Sequence, residues 1–278
     1  MYKIPSITVY AFFALLSTIT IAQESTYGKI SYKKATNISG KQRMLSQRIA
    51  KVFLLKQAGA HGAELNQEFS SAVQLFKRNL SILESNSTNS SFKVKNCIKN
   101  ERQQWELFER KLNSSSQPTV TEVMNISNTL LKKAHALVLA IEEDSKYSKE
   151  FANVHKSSQE KVEIVNISGK QRMLSQRLCL YYTACRLFRR EKKDSKNLCV
   201  QVEKIFEEMN NSLNTLLISD LNSFQIEENI GKVLNIFESI QENKRDFFNN
   251  KIPLSQMMNM TNSITNQYNI ITGQYASL

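Results

Sequence analysis

Apolar residues recur along this chain at the three- and four-residue intervals of a helix, and almost nowhere at the alternation of a strand. Ile38, Leu45 and Val52 fall seven apart, with Ile49 and Leu55 beside them, and form one apolar stripe. Ser39, Arg43 and Gln47 fall four apart in a polar line next to it. This spacing predicts a helix from about Thr26 to Ala58, ended at the glycine-marked turn Gly59-Ala-His-Gly62. A second helix follows on Leu65, Phe69, Val73, Phe76, Leu80 and Leu83, and the Ser/Asn tract Ser85 to Ser91 closes it. Val94, Ile98, Trp105, Phe108 and Leu112 define a third, and Pro118 marks the start of a fourth.

The plan then repeats. Asn37-Ile-Ser-Gly-Lys-Gln-Arg-Met-Leu-Ser-Gln-Arg48 returns letter for letter as Asn166 to Arg177, 129 positions later. Met124-Asn-Ile-Ser-Asn-Thr-Leu130 is echoed by Met258-Asn-Met-Thr-Asn-Ser-Ile264 at an offset of 134. Val202, Phe206, Met209, Leu213 and Leu216, then Ile230, Leu234, Phe237 and Ile240, supply the matching core positions, and Pro253 stands where Pro118 stood. An internal repeat of this kind sets the architecture. The expected fold is all-α, with two tandem four-helix-bundle modules, 23–148 and 149–278, behind an export signal at 1–22. Lys3, an uncharged stretch from Ile7 to Ile21 and Thr20-Ile-Ala22 carry that signal, with an uncleaved anchor as the alternative. Between Pro118 and the turn near Glu191 there is no proline and Gly169 is the sole glycine. A helix unbroken over some seventy residues, roughly 105 Å long, is therefore expected to join the modules, with a break at the polar stretch Asp144-Ser-Lys-Tyr-Ser148 as the alternative.

Packing tolerates exchange among apolar residues, and the flanks of the two copies have drifted, Ile49-Ala-Lys-Val-Phe53 facing Leu178-Cys-Leu-Tyr-Tyr182. Unchanged polar letters ask for another reason, as does Gly40, which costs a helix interior roughly 1 kcal/mol relative to alanine. Close approach by a second backbone or a ligand would supply one. The decapeptide Ser39 to Arg48 resembles the signature of the PilJ-type domain, the N-terminal sensor module of type IV pili methyl-accepting chemotaxis transducers. Its Gly-x-x-Arg-Met-x-Ser-x-Arg skeleton is more distantly similar to the ligand box of NarX-type nitrate/nitrite sensor kinases. The resemblance implies helical-bundle sensory modules, with Arg43 and Arg172 at the place of the anion-gripping arginine and Arg48 and Arg177 at that of the second arginine. A guanidinium suits that role because its planar, permanently charged fork meets an oxyanion bidentately.

Ser39, Arg43, Gln47 and Arg48, with Ser168, Arg172, Gln176 and Arg177, are thus the candidate ligand-binding residues. Three readings stand side by side: a site for a small anion, a helix-packing element, and a surface for a partner protein or a homodimer. A ligand site leaves the arginines without carboxylate partners at a crevice; a packing element pairs them within the bundle.

Composition narrows the classes. The formal charge is +12, which favours anionic ligands or surfaces; export and the lack of a nucleic-acid-binding motif argue against nucleic acid. An envelope or membrane signalling protein is the expected partner, in keeping with a chain that shows no signalling region of its own. No nucleophile motif, phosphate loop or HExxH sequence occurs, so no enzyme and no cofactor is expected. Cys185 and Cys199 flank the turn near Lys192 almost symmetrically, so an antiparallel hairpin would bring them level for a disulfide. Cys97 and Cys179 have no evident pairing, and without CxxC spacing or a nearby histidine no metal site is expected. His61, His135 and His155 are isolated from one another and read as surface residues.

Overall fold

The computed structural model describes residues 26–148 and 156–278; the segment 1–22 expected to be an export signal and the junction 149–155 lie outside the described residues. Helices account for nearly all of the rest: α1 (Tyr32–Gln57), α2 (Ala63–Ser85), α3 (Phe92–Leu112), α4 (Val120–Ser148), α5 (Lys156–Arg190), α6 (Lys196–Leu217), α7 (Phe224–Glu242), the short α8 (Lys244–Phe248) and α9 (Leu254–Ser277).

Helix starts follow side-chain chemistry. Ser31, Ser91 and Ser223 cap α1, α3 and α7, each hydroxyl accepting from the N–H three residues on. Thr119 and Glu122 form a reciprocal capping box on α4, so Pro118 lies just outside the helix it announces. The expected start of α1 at Thr26 is corrected. Residues 26–31 are a minimal hairpin, β1 (Thr26–Tyr27) paired antiparallel with β2 (Ile30–Ser31). Gly28 turns it at φ +61° and lies so close to α2's end that a Cβ would come within 2.5 Å of the Asn86 carbonyl oxygen. The buried Tyr27 hydroxyl donates to Leu83 O at 2.8 Å, and Lys29 N donates to Asn86 Oδ1 at 2.8 Å. Local hydrogen bonds to α2 thus outcompete a further helical turn.

Helices α1 to α4 pack together, as do α5, α6, α7 and α9, and the two motif helices α1 and α5 lie against each other at the centre. Directions follow from the contacts. Tyr32 reaches Asp144, Gln47 reaches Ser127 and Gln57 reaches Pro118, so α4 runs antiparallel to α1. Arg177 reaches Gln47 and Arg190 reaches the carbonyls of Gln57 and Ala58, so α5 runs parallel to α1 and nearly in register. Helices α4 and α5 therefore point in opposite directions, and the straight seventy-residue rod is corrected to two antiparallel helices. Its physical reason is the apolar and polar face that each motif helix turns to the other, which an end-to-end rod would leave in solvent. The two copies are related by an approximate twofold axis along the bundle between α1 and α5.

This central position explains α1's composition. A helix enclosed on several sides is normally apolar throughout, yet α1 buries Ser39, Gln42, Ser46, Gln47 and Lys51 along with Leu45, Ile49 and Val52. Around it, Phe76 stacks on Trp105 in one half of the molecule and Phe206 on Phe237 in the other. A disulfide between Cys185 and Cys199 ties α5 to α6, while Cys97 and Cys179 are free thiols. None of the described helices is long and apolar enough to cross a membrane.

Candidate functional site

Gly40 and Arg43, one turn apart on α1, recur as Gly169 and Arg172 on α5. In both copies the guanidinium folds back over its own glycine. A Cβ at Gly169 would meet Arg172 Nη2 at 3.3 Å and Thr272 at 3.7 Å, and one at Gly40 would meet Arg43 Nη2 at 3.6 Å. Arg172 Nε donates to the Gly169 carbonyl at 3.3 Å. The glycine thus makes room for a guanidinium lying along the helix, which accounts for a residue that helical propensity disfavours.

Equivalent residues of α4 and α9 meet the two arginines. Arg43 Nη1 lies 3.4 Å from His135 Nδ1, and Arg172 Nη1 donates to Asn269 Oδ1 at 3.5 Å; His135 and Asn269 are separated by the offset of 134 that relates those helices. Arg172 is only 5 % exposed. Burial, and then the neighbouring charge of Arg43, push its pKa down to about 10. Burial also lowers Arg43, with Glu142 opposing. Lys41 is lowered by burial and by Arg172 across the helix pair. His135 is held down by burial, then by Arg43 and Lys170. Four cationic or protonatable groups therefore converge where the motif helices meet. Neither Arg43 nor Arg172 forms an ion pair among the described residues, and the buried Arg43 Nε has no hydrogen-bond acceptor. Lys170, nearby, is paired with Glu208.

The C-terminal half of the motif is placed differently. Arg177 crosses to the other module, donating to Asn128 Oδ1 at 2.8 Å, Gln47 Oε1 at 3.1 Å and the Tyr181 hydroxyl at 2.9 Å, with its guanidinium over the Tyr181 ring. Gln47 also donates to Ser127 O, and Gln176 donates to Thr265 Oγ1 at 2.6 Å. Arg48 faces Glu68 at 3.6 Å. Ser39 and Ser168 donate back to carbonyls of their own helices, Thr36 O and Val165 O. Arg43 and Arg172 are thus within reach of each other's charge, whereas Arg48, Arg177, Gln47, Gln176, Ser39 and Ser168 are engaged within the bundle.

Residues 31–137 match the PilJ family model. Its description is "Type IV pili methyl-accepting chemotaxis transducer N-term", and the match runs from the cap of α1 through most of α4. The PilJ match thus covers the first motif copy together with α2, α3 and most of α4, and is to a family described as a chemotaxis transducer's N-terminal part. No curated protein and no solved structure matches the chain.

Four contributors were not picked out from the sequence. Lys51, fully buried, donates to Glu68 Oε1 at 2.6 Å and to Asn262 Oδ1 at 2.7 Å, tying the modules together as Arg177 does. Aligning the two copies puts Leu180 opposite Lys51, and that charged-for-apolar exchange was the available signal. His135 and Asn269 align in the same way through the second echo. Glu101 carried no signal beyond its place on the buried face of α3. It is completely buried, and burial pushes its pKa up to about 8. Its oxygens and Gln42 Oε1 are acceptors left without donors, a shortage that a proton on Glu101 directed at Gln42 Oε1 would relieve in part. A cleft of about 560 Å³ beside the Cys185–Cys199 disulfide, lined by Arg189, Lys193 and Lys196, is open to solvent and far along α5 from the arginines. Among the described residues no His, Cys, Asp and Glu side chains cluster as metal ligands would.

Proposed function

We propose that this chain is an exported sensory module that captures a small anion between its two motif helices and passes the bound state to a signalling protein of the envelope or membrane. The observation that carries this reading is that Arg43 and Arg172, from equivalent places on two copies of one helix, lie close enough to feel each other's charge, with no carboxylate among the described residues bonded to either. Like charges brought together in a partly desolvated place repel each other unless an anion joins them. A bound oxyanion would accept from both guanidinium forks, with Lys41 adding charge nearby. Sites between facing helices are usual in bundles. The PilJ match supports the sensory role, and residues 1–22 support export. The hydrogen bonds of Arg177 and Lys51 support a further role for the rest of the motif, holding the modules in register so that the arginines stay opposed.

The test is a thermal-shift and calorimetric titration with nitrate, sulfate, acetate and short dicarboxylates. One anion bound per chain should raise apparent stability, and Arg43→Ala or Arg172→Ala should weaken binding about tenfold or more. Unchanged affinity in both variants sinks the proposal and leaves the motif as a packing element.

A further inference from the structure

Large apolar side chains left in water are distributed unevenly. The most exposed among the described residues are Phe92 at 84 %, Ile218 at 82 % and Phe224 at 79 %, and all three lie at one end of the bundle. Phe92 opens α3, Phe224 opens α7 and Ile218 follows α6. Leu217 and Leu278 are exposed at the same end, whereas the loops at the opposite end, 58–62, 113–119, 191–195 and 249–253, expose no large apolar residue.

Phe92 and Phe224 occupy one position in the two halves of the repeat. Each directly follows a capping serine, Ser91 or Ser223, whose hydroxyl fixes the first turn. The first helical position then projects its side chain off the bundle's end while Val94 and Ile226, two residues on, enter the core. Isolated exposed apolar residues are ordinary, but several together on one rim mark a surface that meets something apolar.

The course of the chain indicates what that is. The hairpin at Thr26–Ser31 is seated on the end of α2 at this same rim, so the chain enters here. The residues preceding it, 4–22, contain no charged side chain and are mostly apolar. A bilayer's hydrocarbon core takes ~20 such residues as a helix. Lys29, Lys33 and Lys34 stand exposed around the entry point. Aromatic rings favour the boundary between headgroups and acyl chains, and lysines reach the headgroups from it.

We propose that this end of the bundle rests on a lipid bilayer, with Phe92, Phe224 and Ile218 entering the headgroup–acyl boundary and Lys29, Lys33 and Lys34 meeting anionic headgroups. The proposal is independent of the anion site. It is tested on the full chain reconstituted in phosphatidylcholine–phosphatidylglycerol vesicles, with Phe92→Trp, Phe224→Trp and, as a control part-way along α2, Leu75→Trp. The native Trp105 is 2 % exposed and packed on Phe76, so it gives a constant background. Acyl chains brominated near the headgroup should quench the new tryptophans at 92 and 224 and leave the one at 75 unquenched, with blue-shifted emission at 92 and 224 only. Quenching at 92 and 224 no greater than at 75 would overturn the proposal. So would a blue shift without quenching, which is the signature of a protein partner or a second copy covering this end.

Discussion

Arg172→Met should make the ligand-free protein more stable, an unusual outcome for truncating a buried, hydrogen-bonded side chain. The Arg172 guanidinium has its pKa pushed from its ordinary value down to about 10, so keeping it charged in the folded state costs about 3 kcal/mol. Because the folded value lies below the unfolded one, that cost is present at every pH below about 10 and lifts only above it. Methionine removes the charge and fills similar length. What it loses is the bond to Gly169 O at 3.3 Å and that to Asn269 at 3.5 Å, both long, together about 1–2 kcal/mol. The net expectation is a gain of about 1–2 kcal/mol, or roughly 2–8 °C in Tm for a chain of this size. Differential scanning calorimetry without added anion measures it. The same variant should lose the stabilisation that a bound anion gives to the parent. A loss of stability of 1 kcal/mol or more without anion would refute the reasoning, since it would mean that the guanidinium is satisfied where it lies.

Other substitutions probe the groups around the site. Glu101, with its folded pKa near 8 against about 4.5 when unfolded, stabilises the native state fully below about pH 4.5 and loses that contribution as pH rises through 8, by as much as about 4–5 kcal/mol; Glu101→Gln should flatten this fall in urea-denaturation midpoints between pH 5 and 9. Lys51→Met removes the buried cation shared by Glu68 and Asn262 and should destabilise by about 3 kcal/mol, the low end for such a pair because Arg48 still faces Glu68; guanidinium unfolding that shows no change would refute the role assigned to it. Reducing the Cys185–Cys199 bridge, which closes a 14-residue separation, should lower stability by about 3 kcal/mol, read as a drop in Tm on adding dithiothreitol.

Local periodicity and turn residues were legible in the sequence because they depend on neighbours along the chain. The helices bounded by Gly59–Gly62, the Ser85–Ser91 tract and Pro253 stand close to where spacing and turn residues put them. The hairpin at Gly28 was not legible, because what holds it is Asn86 and Leu83, far away in sequence. The direction of α5 was hidden for a related reason. Proline and glycine are sparse from Pro118 to Glu191, which reads as one helix, whereas the tertiary pairing of α1 with α5 decides the outcome. Within the motif, the letters identified the arginines and the structure divided them. Nothing local distinguishes Arg43, which meets His135, from Arg48, which meets Glu68; both partners come from other helices. The exchange of Lys51 for Leu180 was visible in the aligned copies, but only the parallel packing of α1 on α5 gives it a meaning.

That packing has a consequence for how such a protein can diversify. Two identical subunits must present every residue twice, so any charge placed on one side of their shared cleft appears on the other. Here both sides are encoded in one polypeptide, and each can change alone. Already Arg43 has a histidine beside it and Arg172 an asparagine, and the tie made by Lys51 has only Leu180 at its matching position. Tethering also keeps the halves at an effective concentration of millimolar order, so weakening their contact would loosen the cleft without dissociating it. An unsymmetrical ligand, charged at one end and hydrogen-bonding at the other, could be read in a single orientation.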